Sequence, residues 1–428
     1  MKKFLYFQPE YVSRFKCDGS KCLNNCCERY WRIDIDTATY KKYSRLRPKE
    51  KAKEILSHFK FDPKKNLYVV RLDQTFSFEN LDGEQKVFSI NPDEKFSCPF
   101  LTEKKLCGLQ LEYGEEFLSQ TCATYPRITY NFGKFFERSL TLTCPVAAEM
   151  ILFETEPLAI EFVEVPEKIH GKHGRIRILK LPTNEDAAEL IREAQVTMIS
   201  ILQARKFSLD QRLIVLGIFL DRLQELISGD EPAQTLFDLI AAYRSEEFLL
   251  EQMPPLLQTF SFDAKAFVTF MMKFISHTLE ILRVEEGRKF FAAPEKVLGI
   301  KPDENAQVSV DEIAANFDRL ADARKIFSEK YSTFLENFLV SNLFRGVWPW
   351  RFRDHSLTKN FIIFLISYKI FELITFATIY DGLDSKEDLL AMVDWFMTKT
   401  DHNPKLYKRF FELLAGVDDT YLLMATLL

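Results

Sequence analysis

Apolar side chains recur along this chain with two different periods, and the change of period divides it. From residue 184 onward the spacing is helical. Leu209, Leu213, Leu216, Leu220, Leu223 and Ile227 alternate steps of four and three, the stripe of an amphipathic helix. Ser208 and Gln211 form a capping box at its start, and Gly229 stops it. Similar stripes over 185–204, 233–243, 263–284, 311–344, 357–380, 386–398 and 405–414 predict an all-helical body. They share no fixed repeat length, which excludes a solenoid.

The front of the chain reads differently. Residues 1–35 are dominated by cysteines and leave room only for short turns. A helix is expected over 36–58, capped by Asp36 or Thr37, with Tyr40, Tyr43 and Leu46 at helical spacing before Pro48. Tyr68 to Leu72 and Lys86 to Ile90 are strand-like about an Asp82-Gly83 turn, and 128–142 makes a second hairpin turning near Asn131-Phe132-Gly133. A short helix is expected over 111–118. The fold class is therefore mainly α: an N-terminal cysteine-rich α+β metal module with short hairpins (1–150), a connecting segment (151–183) with a strand over 175–181, and an all-helical C-terminal body (184–428).

Composition sharpens this picture. Forty Phe against 14 Gly in 428 residues suggest helices packed through large aromatics. The first 150 residues hold 25 Lys/Arg and 20 Asp/Glu, and the remainder 32 and 42, so either a mildly basic module joins an acidic body or two solvated surfaces differ by chance. A net charge of −5 argues against nucleic acid as a partner. The greasiest stretch, Phe361 to Tyr380, is interrupted by Lys369 and Glu372 and reads as a buried helix, so no membrane insertion is expected. The apolar run Phe4–Phe7 is too short for a signal peptide, and a cytoplasmic protein is expected.

All eight cysteines lie between Cys17 and Cys144: Cys17, Cys22, Cys26, Cys27, Cys98, Cys107, Cys122 and Cys144. In a reducing compartment such a cluster points to ligands rather than disulfides. No pair has the C-x2-C spacing of structural zinc knuckles, although zinc stays open. Adjacent Cys26-Cys27 cannot easily chelate one ion together, but they can reach different irons of a 4Fe-4S cluster. One cluster or two are both compatible with eight thiols. His170 and His173 are spare ligands by proximity, and loop histidines are commonly just solvated.

Several blocks resemble a known family. Cys22-x3-Cys26-Cys27, Cys98-Pro99-Phe100-Leu101, Leu106-Cys107-Gly108-Leu109 and Cys122-x2-Tyr125-Pro126-Arg127 together resemble the CxxCxxCC zinc- or iron-chelating group. The stretch from Phe4 to Phe15, the block from Phe136 to Pro145 and that from Glu336 to Phe344 are similar to the flagellin lysine-N-methylases. The resemblance implies a bacterial enzyme that methylates surface lysines of flagellin with S-adenosylmethionine and carries an iron–sulfur cluster. The first cysteine group lacks the C-x3-C-x2-C spacing of radical enzymes. No glycine-rich strand–turn–helix marks a Rossmann cofactor site.

Amine methylation needs a neutral lysine, which at pH 7 costs about 4.6 kcal/mol. Tyr125 and Glu137 are the candidate proton acceptors, and Arg127 and Arg138 the candidate clamps for the cofactor carboxylate. The plainer reading of each is a surface hairpin residue or an internal ion pair. Asn337 and Asn342, on a helix rich in Phe and Leu, are candidate pocket residues. Since methyl transfer needs no electrons, the cluster would be a structural staple or a docking point. A non-catalytic iron–sulfur or zinc scaffold that binds a partner is the alternative.

Overall fold

The structure is a computed structural model. It describes residues 3–20, 22, 25–28, 33–62, 67–70, 78–79, 85–86, 98–166, 176–178, 185–258, 260, 262–282, 288–298, 320–401, 403–417 and 420–428. The Asp82-Gly83 turn, most of the strand expected up to Ile90, His170 and His173, and the helix start expected at Asp311 lie outside the described residues.

The architecture is mainly α, with small sheets near the N-terminus and a helical C-terminal body. Five strands form the largest sheet: β1 (Lys3–Pro9), β7 (Arg127–Asn131), β8 (Phe136–Leu140), β9 (Ile160–Pro166) and β10 (Ile176–Ile178), in the order β10-β7-β8-β1-β9. Strands β7 and β8 are the expected hairpin, and Gly133 takes the left-handed backbone its turn requires, with φ +87°. Strand β1 corrects the expectation of turns alone before residue 36. It pairs antiparallel with β9 along its whole length and parallel with β8, in the register Tyr6↔Phe136 and Phe7↔Glu137. These partners lie more than 125 residues away, so no local pattern announces them.

Between β1 and the hairpin come α1 (Tyr11–Arg14), β2 (Asp34–Ile35), α2 (Thr37–Ser44), α3 (Lys49–Ser57), β3 (Phe59–Asp62), β4 (Leu67–Val70), β5 (Phe78–Glu79), β6 (Gln85–Lys86), α4 (Gly108–Tyr113) and α5 (Gln120–Thr124). The helix expected over 36–58 is thus two helices. Pro48 cannot donate a helical hydrogen bond and becomes the cap of α3, while Asp36 caps α2 through Thr39 N–H at 2.8 Å. Ile35, Tyr43, Leu46, Ala52, Ile55, Phe59 and Leu109 bury together as a small separate core beneath the cysteine loops.

Helix α6 (Pro145–Leu152) leads toward β9, and the body then comprises α7 (Glu185–Leu202), α8 (Leu209–Ser228), α9 (Ala233–Arg244), α10 (Glu246–Leu257), α11 (Ala264–Leu282), α12 (Arg288–Leu298), α13 (Leu320–Lys330), α14 (Phe334–Gly346), α15 (Leu357–Tyr380), α16 (Lys386–Thr400), α17 (Pro404–Leu413) and α18 (Thr420–Leu427). Helix α15 is long and apolar enough to cross a membrane, yet 89% of its apolar window is buried inside the protein, as expected of a core helix. One continuous core runs from Phe7, Tyr11 and Leu140 to Leu428, so β1, α1, β8 and α6 share it with the helices. Aromatic pairs such as Phe334–Phe371 and Phe327–Phe376 stitch α13, α14 and α15 together. Gly217 lets α8 and α18 approach: a Cβ there would lie 2.0 Å from the Met424 sulfur.

The capping box of α8 is present as expected, with Ser208 Oγ accepting from Gln211 N–H and Gln211 Oε1 accepting from Ser208 N–H. Ser208→Ala should lower stability by about 1 kcal/mol, read as an earlier midpoint in urea.

Candidate active site and thiol array

Strand β8 is buried at all five positions, and its two-residue alternation divides the candidate residues. Glu137 lies in one row across the sheet with Tyr130 of β7, Phe7 of β1 and Phe162 of β9. Side chains of such a row share a face, and here that face meets the helical body: the Phe7 ring lies 5.4 Å from that of Phe344 on α14. Arg138 points the other way. Its guanidinium sits 3.8 Å from the centre of the Tyr6 ring and donates from Nε to Thr129 Oγ1 at 3.3 Å. Adjacent in sequence, Glu137 and Arg138 therefore cannot serve one small ligand.

On the Glu137 side the protein buries a set of polar groups. Glu137 is 1% exposed, and neither carboxyl oxygen completes a hydrogen bond. Gln195 of α7 stands opposite it, close enough to bear on its titration but with neither end of the amide in hydrogen-bond geometry. The hydroxyl of Tyr11, from α1, faces Ser341 of α14 in the same way and feels Arg345 and Glu137. Burial pushes the Glu137 carboxyl up to about 8, close to the working range of a general base. Each polar group left without a partner in a dry interior costs on the order of 1–3 kcal/mol. Several at one place mark a site built to meet something polar rather than ordinary core.

Helix α14 supplies the opposing wall. All thirteen of its residues are buried, including Glu336, Asn337, Ser341, Asn342 and Arg345. Glu336 takes Arg212 at 2.7 Å and Arg205 at 2.8 Å, anchoring α14 to the preceding helices. Asn337 donates to the Glu154 carbonyl at 2.7 Å. Arg345 donates from Nη2 to Asn342 Oδ1 and to Asp401 Oδ1, both at 2.7 Å, while its Nε has no partner. Asn337 thus braces α14, whereas Asn342, which orients Arg345, also lines a cavity together with Arg345 and Asp401.

From Asp401 a string of hydroxyls runs toward the cysteine loops. Asp401 Oδ2 lies 3.5 Å from Thr141 Oγ1, Thr141 lies 3.0 Å from Thr143 Oγ1, and Thr143 lies 3.3 Å from the Tyr125 hydroxyl. Tyr125, half-buried at the end of α5, is thereby joined to the Arg345–Asp401 pair.

The eight cysteines are all free thiols. Short loops gather them. Asn25 donates to the carbonyls of Lys105 at 2.8 Å and Gly19 at 3.2 Å, and accepts from Cys27 N–H at 2.9 Å. Cys98 N–H donates to the Cys27 carbonyl at 2.7 Å, and the Leu101–Cys107 bridge closes a tight turn. Cys27 contacts both Cys26 and Cys98, and its thiol is pushed up by them and by burial, whereas the contact with Cys27 holds Cys98 below its ordinary value. Cys107 and Cys122 feel Cys98 and Cys26, Cys17 feels Cys26, and Cys144 feels Cys22 and Cys17. These influences link Cys17, Cys107 and Cys122 to the Cys26–Cys27–Cys98 contacts, and Cys144 to Cys17 and Cys22. Among the described residues, no three His, Cys, Asp or Glu side chains close tightly enough around one point to hold a single metal ion. Arg127 lies over the Phe15 ring at 5.1 Å and near Cys17 and Cys144, beside the thiols and not beside Glu137.

Comparison with known proteins bears on this arrangement. The family described as the FliB lysine N-methylase C-terminal domain matches residues 195–426, a span that begins at Gln195 and contains Ser341, Arg345 and Asp401. The chain belongs to the FliB lysine N-methylase family. That membership places this FliB-family protein among the methyltransferases that act on lysine. It is similar to the lysine-N-methylases of Salmonella typhimurium and Salmonella choleraesuis, 22% and 23% identical over 428 residues, covering 97% of this chain and 97% of each relative. It is also similar to the flagellar biosynthetic protein FliU of Salmonella muenchen, 29% identical over 177 residues, which are 41% of this chain and 92% of that protein. No solved structure matches it.

Proposed function

We propose that this FliB-family protein transfers the methyl group of S-adenosylmethionine to surface lysines of flagellin in the cytoplasm, with Glu137 accepting the substrate proton. The observation that carries this reading is Glu137 itself: a carboxyl wholly buried, without a hydrogen bond and held near pH 8, in a chain of the lysine N-methylase family. Lysine as the acceptor is supported by the lysine-N-methylase names of the full-length relatives, and a flagellar substrate by the names FliB and FliU.

A charged lysine has no lone pair to attack with. Removing its proton at pH 7 costs about 4.6 kcal/mol in water. A carboxylate of raised proton affinity takes that proton, and the Arg345 cation on the same side of the sheet further disfavours the charged amine. The Tyr11, Ser341 and Gln195 oxygens are placed to orient the N–H bonds that remain. S-adenosylmethionine supplies an electrophilic sulfonium methyl. Arg345, whose Nε is unpartnered and which adjoins Tyr11 and Tyr130 on the Glu137 face, would hold its carboxylate. Arg138, across the sheet, has an unpartnered Nη2 but the wrong face, and Arg127 belongs with the thiols.

The thiols, all free, suit an iron–sulfur cluster in donor type. Cys26, Cys27, Cys98, Cys107 and Cys122 converge, and Cys17, Cys22 and Cys144 continue the group, without closing on a single ion. Such a cluster supplies a structural staple for loops that have little core of their own. Arg127→Ala should keep its iron and colour, because the guanidinium is no ligand; iron analysis of the purified variant decides this, and bleaching would make Arg127 part of the cluster's support.

Incubating the anaerobically purified protein with S-adenosylmethionine and flagellin, then reading lysine mass increments of about 14 Da, tests the activity. Unmodified flagellin with fully loaded protein would sink this reading in favour of a partner-binding scaffold.

A further inference from the structure

The Arg345–Asp401 pair borders a cavity of about 40 Å³ between α14, α15, α16 and α17, lined by Asn342, Arg345, Trp348, Phe364, Asp401 and Tyr407 among others. The two side chains are only 8% and 5% exposed. Arg345 spends Nη2 on Asp401 and Asn342, and its Nε has no partner. Asp401 gives Oδ1 to Arg345, and Thr141 meets Oδ2 at 3.5 Å. An ionised carboxylate accepts about four hydrogen bonds, so capacity remains on both partners. Desolvating an ion pair is costly, and the pair alone adds little stability. Spare donors and acceptors of such a pair, facing a cavity, are better explained by a ligand than by packing.

We infer that this cavity receives the α-amino-acid end of the methyl donor, with Arg345 Nε donating to its carboxylate and Asp401 accepting from its ammonium. This rests on the reading of S-adenosylmethionine as the donor. Charge selects the ligand class. The pair is neutral as a whole, so a lone anion is repelled by Asp401 and a lone cation by Arg345, whereas a zwitterion meets an opposite charge at each end. Size agrees: the cavity has room for roughly three waters, enough for an ammonium and a carboxylate on one carbon and too little for a nucleoside. The base and ribose therefore lie outside it. The wall agrees as well, since the Trp348 ring stands 5.5 Å from Phe364 and 5.8 Å from Tyr407, and aromatic faces attract ammonium and sulfonium.

Position relates the cavity to Glu137. Thr141, in contact with Asp401, is four residues beyond Glu137, so at most roughly 14 Å separates their α-carbons. Five bonds of roughly 1.5 Å lie between the carboxyl carbon and the methyl of the donor. The extended head and the lysine nitrogen beyond it span most of that interval. With its head held here, the donor needs no thiol-bound metal as a docking point, and the thiol array keeps a structural role.

Calorimetry on the anaerobically purified full chain tests this without turnover. S-adenosylhomocysteine carries both charges and transfers nothing, while 5′-methylthioadenosine keeps the nucleoside and thioether but lacks the amino-acid end. The wild type should bind the first about 100-fold more tightly. Asp401→Asn should cut that ratio to about fivefold or less, and Arg127→Ala, beside the thiols, should keep it. A ratio near one in the wild type, or one that survives Asp401→Asn, would overturn the inference. A ratio that collapses in Arg127→Ala with its iron retained would move the head to the thiols and overturn it too. Should Asp401→Asn fail to fold, decarboxylated S-adenosylhomocysteine decides on the wild type. Its ammonium faces Arg345 without a carboxylate between them, so it should bind no better than 5′-methylthioadenosine; an affinity equal to that of S-adenosylhomocysteine would overturn the site. No binding of S-adenosylhomocysteine at all would sink donor and site together. A 100-fold ratio alongside unmodified flagellin would sink the methylation reading alone and leave the site standing.

Discussion

Glu137→Gln should abolish the general-base contribution, lowering kcat by about 10²–10⁴-fold while the protein becomes more stable at alkaline pH. The two effects have one cause. Burial holds the Glu137 carboxyl at about 8 against an ordinary 4.5, so the folded state binds this proton more tightly than the unfolded state does. The stability it contributes is fully present below about pH 4.5 and is lost as pH rises through 8. A shift of that size corresponds to at most about 5 kcal/mol lost at the alkaline end. Glutamine fills the same space without ionising, so the variant escapes the loss. Melting temperatures of variant and wild type should coincide near pH 4.5 and diverge in the variant's favour up to pH 8.5. Parallel curves would mean that Glu137 reaches water. In the wild type, activity should climb with pH and level off above 8, because only the ionised carboxyl accepts a proton. The facing groups of the site, Tyr130, Tyr11, Gln195, Ser341 and Arg345, bring no other carboxylate to set that limb. A group that is unfavourable where it works is the usual cost of an active site.

Much of this site was legible in the sequence, but not its assembly. The block from Phe136 to Pro145 singles out Glu137, and the 128–142 hairpin is visible in its alternation and its Asn-Phe-Gly turn. The same alternation already separates Glu137 from Arg138, since successive strand residues face opposite ways. Grouping them as one cofactor site follows neighbourhood in sequence and neglects the pleat. Tyr11, Gln195, Ser341 and Arg345 went unseen. Asn337, Ser341 and Arg345, at steps of four along α14, were the available signal: polar groups on one face of a helix that is buried all round must point at something. The pairing of β1 with β8 and β9 carried no such sign. Its strands are short, and their contacts depend on chain closure over more than 125 residues, which local propensity does not encode. The helices of the body were readable because each repeats its stripe over many turns.

Cys27→Ala should cost most of the iron and melt the front of the molecule while leaving the helical body folded. Cys27 joins two other thiols: its sulfur contacts Cys26 and Cys98, and its carbonyl accepts from the backbone N–H of Cys98. The loops around it have little else to hold them. Seven buried apolar residues, from Ile35 to Leu109, make up the small core beneath them, too few to offset the ordering of that much backbone. A cluster that binds only the folded arrangement adds its binding free energy to folding, and losing it is expected to cost on the order of several kcal/mol. The body draws on a different core, running from Phe7 to Leu428, that contains only Cys144 among the eight thiols. Limited proteolysis should therefore cut the variant between residues 16 and 125, while far-UV dichroism keeps most of its helical signal and the high-temperature transition stays in place. Iron and sulfide counts at wild-type levels would instead show that Cys27 is no ligand, and one concerted loss of all helical signal would show that the cluster supports the whole fold.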